Sequence, residues 1–256
     1  MISSTSELPV IGLFGGGPVA LKCLQLLQIL EREGKCTLLG CNASHPRERE
    51  NALVLDFASA HGIQCFDSPD DLASFENLSL SFSIGNGWIF PEHFIERMTG
   101  EIINFHAGPL PQYKGSAVPA FAILNEEQHF GVTFHKVVPE LDAGPIIHRE
   151  DFPISPDMTS KEVDRLCIET GIRCLDEMLE TFIIGEYCEY PQTEGPPAYS
   201  RKDVEPYRKL GYDWDTQKFW NHVRACDWEG VLKPAYIDVN GRKVYLTARM
   251  RGTYIT

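Results

Sequence analysis

Two alternating hydrophobic signals run through the first hundred residues. "PVIGLFG" is a short apolar run ending in glycines and reads as a buried strand. "GGGPVALKCLQLLQILEREG" then carries Leu21, Leu24, Leu27 and Leu30 at a spacing near three and closes at Gly34, the period and stop signal of a helix. "CTLLGCNA" reads as a second strand, and "RERENALVLDFASAHG" as a second helix whose polar start gives way to Leu53, Phe57 and Ala60. A short strand at "IQCF", another at "LSLSFSIG", a helix from Pro91 to Met98 and a strand at "INFHA" follow. Strands alternating with helices at this spacing predict an α/β fold, a parallel sheet flanked by helices on both faces.

Beyond these, "FGVTFHKVVPELDAGPIIHREDFPI" is alternating strand material with a turn at Asp142-Ala143-Gly144. "TSKEVDRLCIETGIRCLDEMLETFIIG" is a long amphipathic helix, capped by Thr159 or Ser160, with Val163, Leu166, Ile172, Leu175 and Leu179 on one face. After Gly185 the pattern fades. "EYPQTEGPPAYSRKDVEPYRKLGYDW" has four prolines and reads as a linker over the surface. "DTQKFWNHVRAC" is a short helix, and "AYIDVNGRKVYLTARM" a hairpin turning at Asn240-Gly241. The expected organisation is a main domain over 9–185, a linker over 186–214, and a small helix-plus-hairpin subdomain over 215–256.

Composition narrows the function. The chain has 256 residues, 43% of them hydrophobic, enough for one good core and a small annex. A formal net charge of −13 repels nucleic acid at long range, and the basic clusters Arg201-Lys202 and Arg208-Lys209 read as solvated surface. The eight cysteines include no CxxC pair; several lie in apolar context and read as small hydrophobes in a reducing compartment. "MISSTSELPV" lacks the regions of a secretory signal, and no apolar run is long enough for a bilayer, so a cytoplasmic soluble protein is expected.

Two places invite a chemical reading. "GLFGGGPVA" lacks G-x-G-x-x-G spacing and reads as a tight strand-to-helix turn, not a dinucleotide cradle. The stretch "NFHAGPLPQYKGSAVPAFAIL" is more specific. The period of a strand sends Asn104 and His106 to one face at a strand end, where ligand crevices form in such sheets. An imidazole exchanges protons near neutral pH, and a carboxamide N–H can stabilise an oxygen gaining negative charge. Asp142 would fix the imidazole or carry a proton. Together these are the parts for direct acyl transfer to an amine. Singly, each has an ordinary structural alternative: a satisfied strand-end histidine, or an asparagine capping a turn.

The order of the pieces "NFHAGPLP", "YKG", "FGVTFHKV" and "ELDAGPI" resembles the formyltransferases that use N10-formyltetrahydrofolate. The likeness covers roughly residues 10 to 185 and continues weakly beyond. It implies a Rossmann-like catalytic domain, no metal, and N10-formyltetrahydrofolate as the formyl donor. It places the catalytic asparagine, histidine and aspartate on Asn104, His106 and Asp142. By the same resemblance the folate pocket falls on Asn86, Gly87, Trp88, Ile89 and Pro91, with His135, Leu141 and Gly144 closing its other side. His135 and Trp88 could equally be packed structural residues. Tyr113 and Lys114 are candidates for the acceptor. Where many members have His-x-Ser-Leu-Leu-Pro, this chain has "HAGPLP", which puts the loop's path in question but not the three catalytic positions.

Family members formylate several amines. The acidic charge and the short stretch after the linker disfavour methionyl-tRNA, and the expected acceptor is a nucleotide-linked amino sugar such as a dTDP- or GDP-4-amino-4,6-dideoxyhexose. The alternatives are another small amine, of the hydroxyornithine type, or a non-catalytic ligand-binding homologue. The hairpin at Asn240-Gly241 is a candidate homodimer contact.

Overall fold

A computed structural model describes residues 7–45, 48–75 and 77–248. The alternation of buried strands and amphipathic helices produces β1 (Val10–Gly15), α1 (Pro18–Arg32), β2 (Thr37–Asn42), α2 (Glu48–His61), α3 (Pro69–Ala73), β3 (Leu78–Ile84), α4 (Glu92–Arg97) and β4 (Glu101–His106). These are followed by α5 (Val118–Leu124), β5 (His129–Lys136), β6 (Ile146–Pro153) and α6 (Ser160–Ile184), then a 3-10 helix (Arg201–Arg208), α7 (Thr216–Ala225), β7 (Ala235–Val239) and β8 (Arg242–Leu246). Six strands form one sheet in the order β2-β1-β3-β4-β5-β6, and β7-β8 form a separate hairpin. Among the described residues no helix is long and apolar enough to cross a membrane.

The sheet corrects the expectation in one respect. β1, β2, β3 and β4 pair in parallel, but β5 runs antiparallel to β4. Hydrophobic periodicity carries no strand direction, so this reversal was invisible in the pattern. "IQCF" forms no strand; it contributes one isolated bridge, Cys41 to Cys65. In α2 the face is also shifted by a residue: Val54 and Ala58 are fully buried, while Leu53 is exposed. Both patterns satisfy a helical period, and only packing decides between them.

The chain divides into two compact units. One takes in the residues up to His106, Thr133–His148 and Thr170–Gln192; the other takes in Ala107–Val132, Arg149–Glu169 and the residues from Thr193 onward. In the first unit, Phe14, Leu72, Phe90, Phe94 and Ile102 form a buried cluster, with Phe14 meeting Phe90 and Phe94 edge-on at centroid distances of 5.3 and 6.1 Å. The glycine turn after β1 is a close-approach device. Gly15 has φ +117°, and a Cβ there would stand 1.9 Å from the Ile84 carbonyl oxygen. Gly17 and Pro18 then start α1 as N-cap and first helical residue, which agrees with the turn reading of "GLFGGGPVA".

In the second unit, α5 occupies the end of "NFHAGPLPQYKGSAVPAFAIL", where the sequence pattern assigns no helix. The segment after Gly185 also does more than connect. Tyr199 exchanges backbone hydrogen bonds with Lys114 and Ser116 and stacks on Phe121 at 4.1 Å. Ser200 and Asp203 cap the 3-10 helix reciprocally, and that helix buries Val204 and Arg208. α7, capped by Asp215, packs on α5. Thr159 caps α6, with Glu162 returning the bond to its backbone N–H. The hairpin turns at Asn240 and Gly241, both at positive φ, as the sequence predicts.

Candidate active site

β4 and β5 place the chemistry. In their antiparallel register Asn104 stands opposite His135, and His106 opposite Thr133. Opposed residues share a face, and Asn104 and His106 share one by the period of two, so an amide and two imidazoles collect on one side of the sheet. His106 is the last residue of β4. Both rings are well buried, His106 at 7% exposure and His135 at 2%.

The hydrogen bonds fix the roles. His135 Nδ1 lies 2.9 Å from the Lys136 carbonyl oxygen, which can only accept, so Nδ1 carries the proton. His135 Nε2 is then the acceptor for Asn104 Nδ2 at 3.0 Å. This bond orients the carboxamide with its nitrogen, not its oxygen, toward the cluster. The second amide hydrogen of Asn104 has no partner among the described residues.

Asp142 completes the group. Its carboxylate reaches both rings, Oδ2 at 3.6 Å from His106 Nδ1 and Oδ1 at 3.6 Å from His135 Nε2. These separations exceed a hydrogen bond but suit an ion pair that tightens when an imidazole gains a proton. The residue sits on the β5–β6 connection in a left-handed conformation, φ +50°. Gly144, two residues on, is packed so closely that a Cβ would stand 1.8 Å from the Lys136 carbonyl oxygen. The Gln192 side chain donates from Nε2 to the carbonyls of Asp142 and Gly144, at 2.9 and 2.7 Å.

The expected pocket residues divide by behaviour. Asn86 is committed to structure: its Oδ1 accepts from Ser44 Oγ at 2.5 Å and from the Trp88 N–H at 3.0 Å, while its Nδ2 donates to the Trp88 carbonyl. Gly87 is tied to the same place, donating its N–H to the Ser44 carbonyl at 2.7 Å. Trp88 packs edge-on against Phe90 and Phe94, at 5.2 and 4.7 Å. Pro91 is the N-cap of α4. Ile89 and Leu141, in contrast, are 70% and 44% exposed and offer apolar surface.

Tyr113 and Lys114 belong to the second unit. The Tyr113 hydroxyl donates to Glu127 and accepts from Asn125, and burial first, then that carboxylate, holds its ionisation well above the usual phenol range. Lys114 is 8% exposed and meets no carboxylate in an ion pair among the described residues. Three contributors were not singled out in the sequence for what they do here. His135 anchors Asn104, Gln192 holds the Asp142 turn, and Ser44 holds the Asn86 loop. Only a cross-strand register would have exposed the first.

Residues 80–178 match the formyl transferase family model. A methionyl-tRNA formyltransferase of Synechococcus sp. (strain JA-3-3Ab) is 28% identical over 224 residues, covering 83% of this chain and 70% of that protein. Other curated relatives of the same description are matched over about half their length, 47% and 58% for two of them. Among solved structures, a sugar N-formyltransferase from Shewanella sp. superposes with a TM-score of 0.77 at 21% identity, covering 93% of this chain and 96% of that one. An N-formyltransferase from Helicobacter canadensis, solved in complex with folinic acid and dTDP-3-aminofucose, superposes at 0.76 and 20% identity, covering 93% and 86%. At these identities the likeness to solved structures establishes the fold.

Proposed function

We propose that this protein is a formyl transferase that moves a formyl group from N10-formyltetrahydrofolate to the amine of a nucleotide-linked amino sugar, by direct attack. The observation that carries the reading is the convergence of Asn104, His106 and Asp142, with His135 locking the amide in place. No side chain in that group is a serine or cysteine, so the arrangement suits attack by the amine itself.

The amine reacts neutral, since an ammonium has no lone pair. His106, with Nδ1 toward Asp142, presents Nε2 as the base that takes the amine's proton while the C–N bond forms. The remaining N–H of Asn104 meets the formyl oxygen as it becomes negative. Asp142 stabilises the imidazolium and helps pass the proton to the leaving folate nitrogen. For the donor, exposed Ile89 and Leu141 fit a flat, partly apolar molecule, and supply the contact that the committed side chain of Asn86 does not.

For the acceptor, the support is a buried cation. Lys114, with no ion-pair partner among the described residues, suits the diphosphate of a nucleotide sugar, and Tyr113 holds the same strand-like segment. The net charge of −13 weighs against a tRNA acceptor, although curated relatives carry that description. The test is incubation with N10-formyltetrahydrofolate and separate amines, following tetrahydrofolate release by absorbance. Release with a dTDP- or GDP-amino sugar supports the reading. Release with hydroxyornithine alone, with methionyl-tRNA alone, or with no amine present would replace it.

A further inference from the structure

We infer that Gln192 is a positioning residue, setting the backbone turn that presents Asp142 to His106. The inference rests on the reading above, in which Asp142 works through that imidazole. Its basis is register and donor count. Ile146 and Tyr190 exchange both backbone hydrogen bonds, at 2.9 and 2.8 Å, as an isolated antiparallel bridge. Two residues on from Tyr190, and two back from Ile146, an antiparallel register brings Gln192 opposite Gly144.

From there the side chain reaches the turn itself. A primary amide has two N–H donors on one nitrogen, and Gln192 Nε2 spends them on the Asp142 and Gly144 carbonyls, the two that bracket Ala143. A turn holding a non-glycine residue at φ +50° needs such outside support, because the left-handed conformation is not its resting preference. Gly144 is meanwhile held against the end of β5, where Lys136 N–H donates to the Pro145 carbonyl at 2.9 Å. The turn is thus gripped from two sides, by β5 and by Gln192.

One more feature separates Gln192 from an ordinary tether. Its Oε1 is buried and has no hydrogen-bond partner among the described residues. Orphaning a buried acceptor is unfavourable, so the side chain is oriented for its nitrogen alone. The carbonyls it holds are those of the catalytic aspartate and its near neighbour, which makes the carboxylate's aim the quantity it controls.

The experiment pairs two readouts on Gln192→Met, which keeps the length and removes both donors, with Gln192→Glu as the second variant, whose carboxylate would face two carbonyls. Hydrogen–deuterium exchange over the Asp142 turn needs no substrate. Exchange there should quicken in both variants, while β4 and α1 stay protected. Turnover of Gln192→Met should fall by about 100-fold, the scale of a 1 Å misplacement, with KM for the folate changed little. Because Asp142 favours the charged form of His106, a loosened carboxylate should also move the acid limb of the pH–rate profile to lower pH. Unchanged exchange across the turn, or a loss of thermal stability with turnover and pH profile intact, overturns the inference. A wild-type protein that transfers formyl to no amine would sink the reaction reading instead, and the exchange comparison would still report whether Gln192 holds the turn.

Discussion

Exchanging Asn104 for aspartate replaces one NH₂ group by an oxygen and reverses the logic of the site. In the native arrangement Asn104 Nδ2 donates to the bare Nε2 of His135 at 3.0 Å. A carboxylate has nothing to donate. If Asn104 is the oxyanion donor proposed above, the first cost is the loss of that donor, on the order of 100- to 1,000-fold in turnover, or about 3–4 kcal/mol. The second is a new negative charge beside Asp142, since both groups approach the same nitrogen, the carboxylate oxygen at 3.6 Å. At an effective dielectric of about 20 and a separation on the order of 5 Å, two like charges repel by about 3 kcal/mol.

The variant can relieve that repulsion by protonating His135 at Nε2, which turns the acceptor into a donor for both carboxylates. A proton held between two carboxylates adds stability that is present at low pH and lost as pH rises. Asn104→Asp should therefore come closer to wild-type stability in mildly acidic buffer and fall away as pH rises. Single-turnover release of tetrahydrofolate measures the catalytic loss, and urea midpoints from pH 5.5 to 9 measure the stability gap. Turnover within tenfold of wild type, or a stability gap that does not vary with pH, would refute the reasoning.

Three further outcomes are expected. His106→Ala should keep its fold and lose about 100- to 10,000-fold in turnover, and a near-normal single-turnover rate would remove His106 as the base. Gly144→Ala drives a methyl group into the Lys136 carbonyl and should cost about 1–3 kcal/mol, read as a lower urea midpoint; an unchanged midpoint would contradict the close approach. Brief alkylation at pH 8, followed by mass spectrometry, should label exposed Cys188 first. Burial pushes the Cys36 thiol up to about 11 and those of Cys41 and Cys226 to about 12, so their labelling should quicken roughly tenfold per pH unit across that range; early labelling of fully buried Cys23 would break the described core.

How much of this was legible in the residues depended on how local each signal was. α1 and α6 carry helical periods over several turns, so Leu24, Leu27, Val163 and Leu175 fall inside as expected. α5 escaped because it is short and lies among Pro109, Pro111 and Pro119, which read as breakers; Pro119 instead sits in the helix's first turn, where its missing N–H costs nothing. Asn104 and His106 were visible as a strand-end pair, because their relation is two residues long. His135 as the anchor of Asn104 was not, because that relation spans 31 residues and depends on an antiparallel register. Gln192 was hidden in a proline-rich stretch that looks like a connection. The Ser200-x-x-Asp203 signature in the same region is a capping box, and it was the available hint that the stretch is built structure.

The break between β4 and β5 has a consequence for how such a protein can diversify. The stretch Ala107–Val132, which is the connection between the two strands together with the first half of β5, falls in one compact unit, while the paired ends that hold Asn104, His106 and His135 fall in the other. A one-residue slip between those ends would turn the amide and the ring to opposite faces, so the strands tolerate no insertion or deletion. The intervening stretch answers to other neighbours, since Tyr199 bonds to Lys114 and Ser116 and α7 packs on α5. Changes there are limited by that packing, and not by the register that sets Asn104 against His135.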